Sequence, residues 1–412
     1  MRIHTMACRS LRRNLRRSLI TAFSIGFGVF LAVTFTASGD YSYTNMIETS
    51  AVMGLGHVTL QPVGYNDSPS LSMELAEAEM FHRELTAIPG VEAARARIAG
   101  QAMFGAGAKS VGGAFMAIDP DQETPAYNLL TRSITQGALF DSDDERGVLV
   151  GERMAKKLKL RLGKKLIITV TDKNGEIASE LTRVRGIFRT GEHSVDSSLV
   201  LLPLTMVRKL LRYGSDSATY VSVYLEDHRQ ATEMVNYLRT RWGQKDVEIL
   251  PWQKTQGELA GLVAVDRLFN YLLQLLVGLV IAAGIMNTML MSVLERKREL
   301  GIMMAIGMRP GQVVGLVLAE SFWLAVVGLG IGVLITAPWF YYMAVYGIDF
   351  TSLMSDEYSA GGVVVEPVMK FRLYRESAAA IIGVVFTLTI AAGIYPAIRA
   401  GRIPPVDSIK EI

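Results

Sequence analysis

The chain is almost without cysteine: Cys8 is the only one in 412 residues. No apolar run precedes Cys8, so it is not a lipidation site, and no disulfide can staple the rest of the chain. Histidine is scarce as well. His4, His57, His82, His193 and His228 are scattered without metal-ligand spacing, and no H-E-x-x-H zinc motif occurs. There is no G-x-S-x-G nucleophile elbow. His193 and Asp196 in GEHSVDSS read as a solvated loop pair. Gly105–Ser110 (GAGAKS) resembles a phosphate loop at first sight, but Ala108 stands where a Walker A motif needs Gly before the Lys. The net charge is only +3, which gives a nucleic-acid role no support. Together these absences exclude the common hydrolase and zinc chemistries. No catalytic residue, metal or bound cofactor is expected on this chain.

Long runs without charge, by contrast, are plentiful. The first is 19–38, whose 20 residues would make a helix of about 30 Å, the thickness of a hydrocarbon core. The others are 268–294, 313–338 and 377–398, and Glu320 is the only charge in the third. Backbone amides in lipid must be satisfied within the segment, so all four read as transmembrane helices. The first run is too long for a signal-peptide core and reads as an anchor.

The flanking charges set the orientation. Arg2, Arg9, Arg12, Arg13, Arg16 and Arg17 precede the first run with no acid among them. Arg296, Lys297, Arg298 and Arg309 lie between runs two and three, and Arg399, Arg402 and Lys410 follow the fourth. The loop 339–376 has Lys370, Arg372 and Arg375 against Asp349, Asp356, Glu357, Glu366 and Glu376. Basic flanks stay in the cytoplasm. The basic segment 1–18, the loop 295–312 and the tail 399–412 are therefore expected inside, and 39–267 outside.

The expected fold is a four-span α-helical membrane protein with a large α+β extracytoplasmic domain. At over two hundred residues that domain can bury a core without disulfides. Val58–Gln61, a helix over Ser72–Ile88 and Val91–Ile98 form one strand–helix–strand unit. Ala218–Leu225, a helix over Gln230–Trp242 capped by Asp227, and Asp246–Leu250 form another. These read as a βαβ pseudo-repeat lobe, with a β-rich lobe, roughly Gly147–Leu211, inserted in it. Within the insert, Leu166–Thr171 and Leu181–Phe188 flank Asp172-Lys173-Asn174-Gly175, a strong hairpin signal. Trp252–Asn270 has few breakers, leads straight into the second run and predicts a continuous stalk helix. Asp40–Val52 would pair with it through Tyr41, Met46 and Ile47.

The most specific motif is MNTMLMSVLERKRELGIMMAIGMRPGQV, Met286–Val313. A charged turn, Glu295–Glu299, is followed by a short apolar segment, Leu300–Met308, with small residues at Gly301, Ala305 and Gly307. Methionines suit an adaptable contact, and small residues permit close approach. The segment reads as a docking helix for a cytoplasmic partner. Arg309-Pro310-Gly311 breaks the chain before the third run.

Asn287–Gly307 resembles the FtsX-domain permeases of ABC transporters, the group that includes MacB and the lipoprotein-releasing permeases LolC and LolE. So do LRRNLRR from Leu11, Glu320 early in the third span, the ending Tyr395–Asp407, and the stretches VLVGERMAKKLKLRLGKKLIITV and VRGIFRTGEHSVDSSLVLLPL. The resemblance covers the whole chain. It implies a multi-pass protein of the bacterial inner membrane with a MacB-like periplasmic domain. Its partners would be a cytoplasmic ABC ATPase dimer that binds ATP and Mg, a second permease subunit, membrane lipids, and a periplasmic lipoprotein carrier or adaptor. With no ATPase domain in these residues, ATP hydrolysis is expected on a separate chain. Leu300–Met308 would be the coupling helix, with Glu295, Arg298, Glu299, Leu300, Gly301, Met303, Met304, Ala305 and Gly307 as its coupling residues. Motion driven by ATP would reach the outer domain through the stalks, a mechanism called mechanotransmission. The expected function is extraction or export of lipoproteins or other amphiphilic substrates, with Phe30, Phe35 and Phe269 as an access surface. A MacB-like efflux permease and an FtsX-like permease controlling an external enzyme are the alternatives. LolC hooks a carrier with a longer loop where this chain has the tight Asp172–Gly175 turn, so carrier docking is expected to fall to a paired subunit.

Overall fold

A computed structural model describes residues 2–13, 15–243, 246–350, 359–360, 363–364 and 368–404. Asp356, Glu357, Glu366 and Lys410, counted above for orientation, and the Pro405–Asp407 end of the family motif lie outside the described residues.

In chain order, the helices α1 (Arg2–Arg13) and α2 (Leu15–Ser50) end in a π-helical turn, Ala51–Leu55. The strand β1 (Val58–Pro62), α3 (Ala78–Thr86), β2 (Val91–Ala106) and β3 (Lys109–Ile118) follow. Next come α4 (Leu129–Arg132), β4 (Ile134–Gly137), β5 (Gly147–Gly151), α5 (Glu152–Leu158), β6 (Lys165–Thr171) and β7 (Ile177–Phe188). Then come α6 (His193–Ser198), β8 (Leu199–Pro203), α7 (Leu204–Leu211), β9 (Tyr220–Leu225), α8 (Ala231–Trp242), β10 (Val247–Pro251) and α9 (Trp252–Thr255). The rest is dominated by α10 (Gly257–Glu295), α11 (Lys297–Ala305), α12 (Pro310–Val345) and α13 (Arg375–Gly401).

The chain forms two compact units, one holding 43–264 and one holding 2–42, 265–349 and 368–404. The first is built on one sheet with the order β10-β1-β9-β2-β3-β8-β5-β7-β4, and β6 bridges β2 and β7. In its first four strands every pairing is antiparallel, with α3 joining β1 to β2 and α8 joining β9 to β10. The two strand–helix–strand segments interleave, because β1 lies between β10 and β9 while β2 lies outside β9. β2 is 16 residues long. Its first half, to Arg97, pairs with β9, and its second half, from Ile98, pairs with β3. The strands between β2 and β9 therefore join the same sheet through one shared strand. This insert starts at β3, earlier than Gly147, because the second half of β2 offers a free edge on which it builds. The hairpin forms as its turn residues require: Gly175 has φ +85°, its N–H bonds to the Asp172 carbonyl at 3.0 Å, and Thr171 faces Ile177.

Two helical expectations are corrected. The helix expected over Ser72–Ile88 covers only Ala78–Thr86. Leu75 instead exchanges backbone hydrogen bonds with Ala218, at 2.7 and 3.1 Å, and Glu77 takes the left-handed conformation (φ 58°). Sheet-like pairing has claimed the groups a helix would use. The stalk expected to be continuous from Trp252 is broken at Gln256 (φ −123°, ψ 57°), and α10 starts at Gly257. Ser50, the last residue of α2, donates its hydroxyl to Gln256 Oε1 at this break. Ile47, Leu259 and Val263 are buried in the core of this unit, and Met46 packs against it.

Among the described residues four helices are long and apolar enough to cross a membrane: Ser18–Leu55, Gly257–Glu295, Pro310–Val345 and Arg375–Gly401. Each overruns its uncharged run, since intrahelical bonding continues into polar turns. The third does not stop at Pro338 as expected but runs on to Val345. Proline removes one bond and kinks a helix without ending it where packing supports the next turn. Trp339 supplies that packing against Phe30 and Phe371. α2 and α12 approach closely because a Cβ on Gly328 would stand 2.6 Å from Ile25 Cβ, and one on Gly332 2.7 Å from Val29 Cβ.

Candidate coupling site

The segment between α10 and α12 is a corner, a short helix and a second corner. Arg296 leaves helical geometry (φ −100°, ψ 15°) and turns the chain into α11. Gly307, at φ +108°, turns it out again. Gln312 then accepts the Arg309 N–H at 3.0 Å, and Pro310 starts α12 in the first-turn position that suits its missing N–H.

The helical period divides α11 into two faces. Leu300, Gly301 and Met304 point inward with Met303, and Leu300 is only 2 % exposed. Arg298, Ile302, Ala305 and Ile306 point outward, with Ile302 40 % and Ile306 82 % exposed. Of the expected coupling residues, Leu300, Gly301, Met303 and Met304 thus form the seat of the helix. Arg298, Ala305 and Gly307 are on the open side, and Glu295 is exposed at the end of α10. Ile306, absent from the expected set, is the most exposed apolar residue of the segment. The sequence signal for it was the four-residue step from Ile302.

Glu299 and Glu320, chosen separately from the sequence, are brought together by Arg296. Its Nη1 donates to Glu320 Oε1 at 2.8 Å and to Ser10 Oγ at 2.7 Å, and its Nε donates to Glu299 Oε2 at 3.2 Å. Arg13 of α1 donates to both Glu299 oxygens. That bond, opposed in part by burial and aided by Arg296, holds the Glu299 carboxyl below the usual carboxylate range. Glu320 is 5 % exposed. Beside it is a cavity of about 20 Å³ lined by Ser10, Ser18, Thr21, Thr288 and Ser292 among others, room for roughly one water.

The expected access residues do not form one surface. Phe35 borders an apolar groove with Gly28, Gln274, Gly278 and Val384. Its carbonyl accepts from Asn270, the residue after Phe269, at 3.4 Å. Phe30 instead stacks on Phe27 and meets Trp339.

The sheet unit holds two polar clusters that sequence reasoning missed. Arg97 is fully buried. It donates to Glu123 at 2.8 Å, to the Gly54 carbonyl at 2.7 Å, to Tyr224 Oη at 2.8 Å and to the Tyr127 carbonyl at 3.2 Å. Ser222 donates to the same Gly54 carbonyl. Gly54 has φ +139°, and a Cβ there would come within 2.3 Å of Met116. The turn that ends α2 is thereby clamped to the middle of β2. Next to it, Glu48 is 3.1 Å from His57 Nε2 and 3.2 Å from His228 Nδ1. His57 Nδ1 accepts the Leu225 N–H, so its ring proton lies on Nε2 and is donated to Glu48. Burial pushes the Glu48 carboxyl up, but bonds from His228 and His57 outweigh it and bring it down to about 2. Asp196 is tied to Thr190 and Gly191 and serves its own loop. Lys109 pairs with Ala106 across a hairpin, so GAGAKS is a strand connection. Among the described residues no group of His, Cys, Asp and Glu could hold a metal ion.

Comparison with known proteins agrees with this organisation. The family described as MacB-like periplasmic core domain matches residues 18–241, and the family described as FtsX-like permease C-terminal matches 271–405. The chain belongs to this family of ABC transporter permeases. It is 23 % identical to the uncharacterized ABC transporter permease MJ1507 of Methanocaldococcus jannaschii over 99 % of this chain and 97 % of that one. It is 25 % identical to the macrolide export ATP-binding/permease protein MacB of Nitrobacter winogradskyi, over 95 % of this chain and 58 % of the relative. It is 22 % identical to the lipoprotein-releasing system transmembrane protein LolC of Xylella fastidiosa, over 71 % of each chain. The chain spans somewhat under two thirds of the MacB relative's length.

Proposed function

We propose that this chain is the permease subunit of an ABC transporter that works by mechanotransmission and extracts or exports lipoproteins or other amphiphilic substrates. An ABC ATPase on a separate chain, carrying ATP and Mg, docks on the outward face of α11. Two permease subunits and two ATPases make the working complex. Closure of the ATPases moves α11 and the long helices, and α2 and α10 carry that motion toward the sheet domain. Both chain ends and α11 are cytoplasmic, and the sheet domain is periplasmic. The sheet domain contributes shape and movement, and the chain itself carries no reaction.

The observation that carries the reading is the α11 face: Ile302, Ala305 and Ile306 stand open beside Arg298 on a helix whose other face is anchored. An exposed apolar face on an anchored helix is a docking surface. The test is purification from native membranes in mild detergent, with Ile306→Asp as the comparison. The wild-type chain should retain an ATPase and the variant should lose it. Retention of the same ATPase by both would remove docking from this face. Mass spectrometry of the wild-type complex would identify bound lipid or lipoprotein.

A second reading, efflux of small molecules or peptides through a periplasmic adaptor, is favoured by coverage. The MacB match extends over 95 % of this chain and the LolC match over 71 %. Copurification of an adaptor instead of lipoprotein would select it.

A further inference from the structure

We infer that Arg296 is a positioning residue that transmits movement of α11 to the interior of α12 through Glu320, with α1 held in the same latch. The inference rests on the docking reading above. It adds the route by which force leaves the docking helix.

Three elements converge on this one side chain. Ser10 belongs to α1, Glu299 to α11 and Glu320 to α12, and all three accept from the Arg296 guanidinium within 3.2 Å. Arg296 itself sits at the corner that leads into α11, so any tilt of that helix must move its side chain. Besides the Arg13–Glu299 pair, α11 is seated in its own unit through the apolar side chains of Leu300, Met303 and Met304. Apolar contacts, methionines above all, can slide without a fixed geometry. Charged hydrogen bonds cannot, because they depend on direction as well as distance.

Glu320 lies ten residues after Pro310, about 15 Å along α12. A carboxylate at that depth is costly unless paired, and Arg296 pairs it. The cavity beside it supplies an alternative. A water held in that cavity, between Ser292 and the oxygens of Ser18 and Thr288, can solvate the carboxylate when Arg296 withdraws, since the Ser18 and Thr288 hydroxyl protons are given to the Leu11 and Gly284 carbonyls. The site can thus hold two arrangements, with the arginine engaged or released, and a two-position element is what relaying movement requires. Arg13 on Glu299 sets how far α11 can swing from α1.

The test uses the complete complex in detergent or liposomes and compares R296Q, E320Q, R296K, S10A, the single reversals R296E and E320R, and the exchanged pair R296E/E320R. ATPase retention and ATP hydrolysis per retained ATPase are measured separately. R296Q and E320Q should retain the ATPase yet lose about tenfold in hydrolysis, within the usual range of coupling between sites. R296K, which keeps the charge, should recover part of the rate, and the exchanged pair should recover more than either single reversal. Wild-type rates in R296Q and E320Q overturn the latch while leaving docking intact. Loss of ATPase from R296Q as complete as from Ile306→Asp also overturns it, since Arg296 would then belong to docking. If both charge-neutral variants misfold, S10A decides: it leaves no buried charge unpaired, and a rate equal to wild type overturns the latch. Absence of any ATPase from the wild-type complex overturns the proposed function itself and the latch with it.

Discussion

Arg296 donates a 2.8 Å hydrogen bond to Glu320, a buried residue 24 positions later in the long helix α12. The two residues belong to different features of the sequence, a charged turn and an apolar run. Their pairing turns a loop and a span into one mechanical object. Because Glu320 is buried, removing Arg296 leaves its charge uncompensated, whereas Arg296 without Glu320 still has Glu299 and Ser10. Arg296→Met alone should destabilise the helical unit by about 3 kcal/mol, Glu320→Leu alone by less, and the two changes together by much less than their sum. Thermal melting of the detergent-solubilised chain distinguishes these outcomes. A double change that costs the sum of the two single changes would show that the pair contributes no coupling energy.

The two faces of α11 separate docking from stability. Met304→Asp puts a charge on the inward face and should lower the melting temperature of the chain. Ile306→Asp, on the open face, should leave melting unchanged and abolish ATPase retention. The contrast is read from melting curves and copurification of the two variants side by side. Identical behaviour would contradict the face assignment.

The hairpin at Asp172–Gly175 isolates a backbone effect. Nothing lies within 4 Å of a Cβ built on Gly175, so Gly175→Val meets no steric obstacle other than its own φ of +85°. A β-branched residue there should cost about 1–2 kcal/mol. A melting temperature equal to wild type would mean that the turn adopts another conformation.

Acid should loosen the end of α2. The Glu48 carboxyl is depressed from about 4.5 to about 2 in the folded chain. Its contribution is therefore complete above pH 4.5 and is lost as pH falls toward 2. The side chain is still 42 % exposed, and solvent screening keeps that contribution small. Glu48→Gln should melt lower than wild type at pH 7, and the difference should shrink between pH 4.5 and 2. A difference that grows with acidification would reverse the sign of the linkage.

Much of the architecture was readable from local pattern. A run of twenty apolar residues has one solution in lipid, and Asp172–Gly175 has one economical turn. The boundaries were less readable, and for a common reason. Pro338 resembles an ending, but Trp339 packs beyond it and the helix continues. Ser72–Glu77 resembles a helix, but Ala218 offers Leu75 a bonded partner from 143 positions away. Of the coupling residues, the segment was legible and its faces were not. Met304 and Ile306 are equally apolar, and only packing decides which is seated.

Composition and period by themselves determined that this chain carries four helices long and apolar enough to cross a membrane, a large sheet domain and a short apolar helix between two of the long helices, because burial of apolar surface and satisfaction of backbone amides depend on residue type and spacing. The tertiary structure alone decided that Arg97 would clamp Gly54, that Glu48 would gather two histidines and that Arg296 would find Glu320. Ion pairs and buried hydrogen bonds require atoms within about 3 Å. Residues separated by tens or hundreds of positions reach that distance only after the chain has folded.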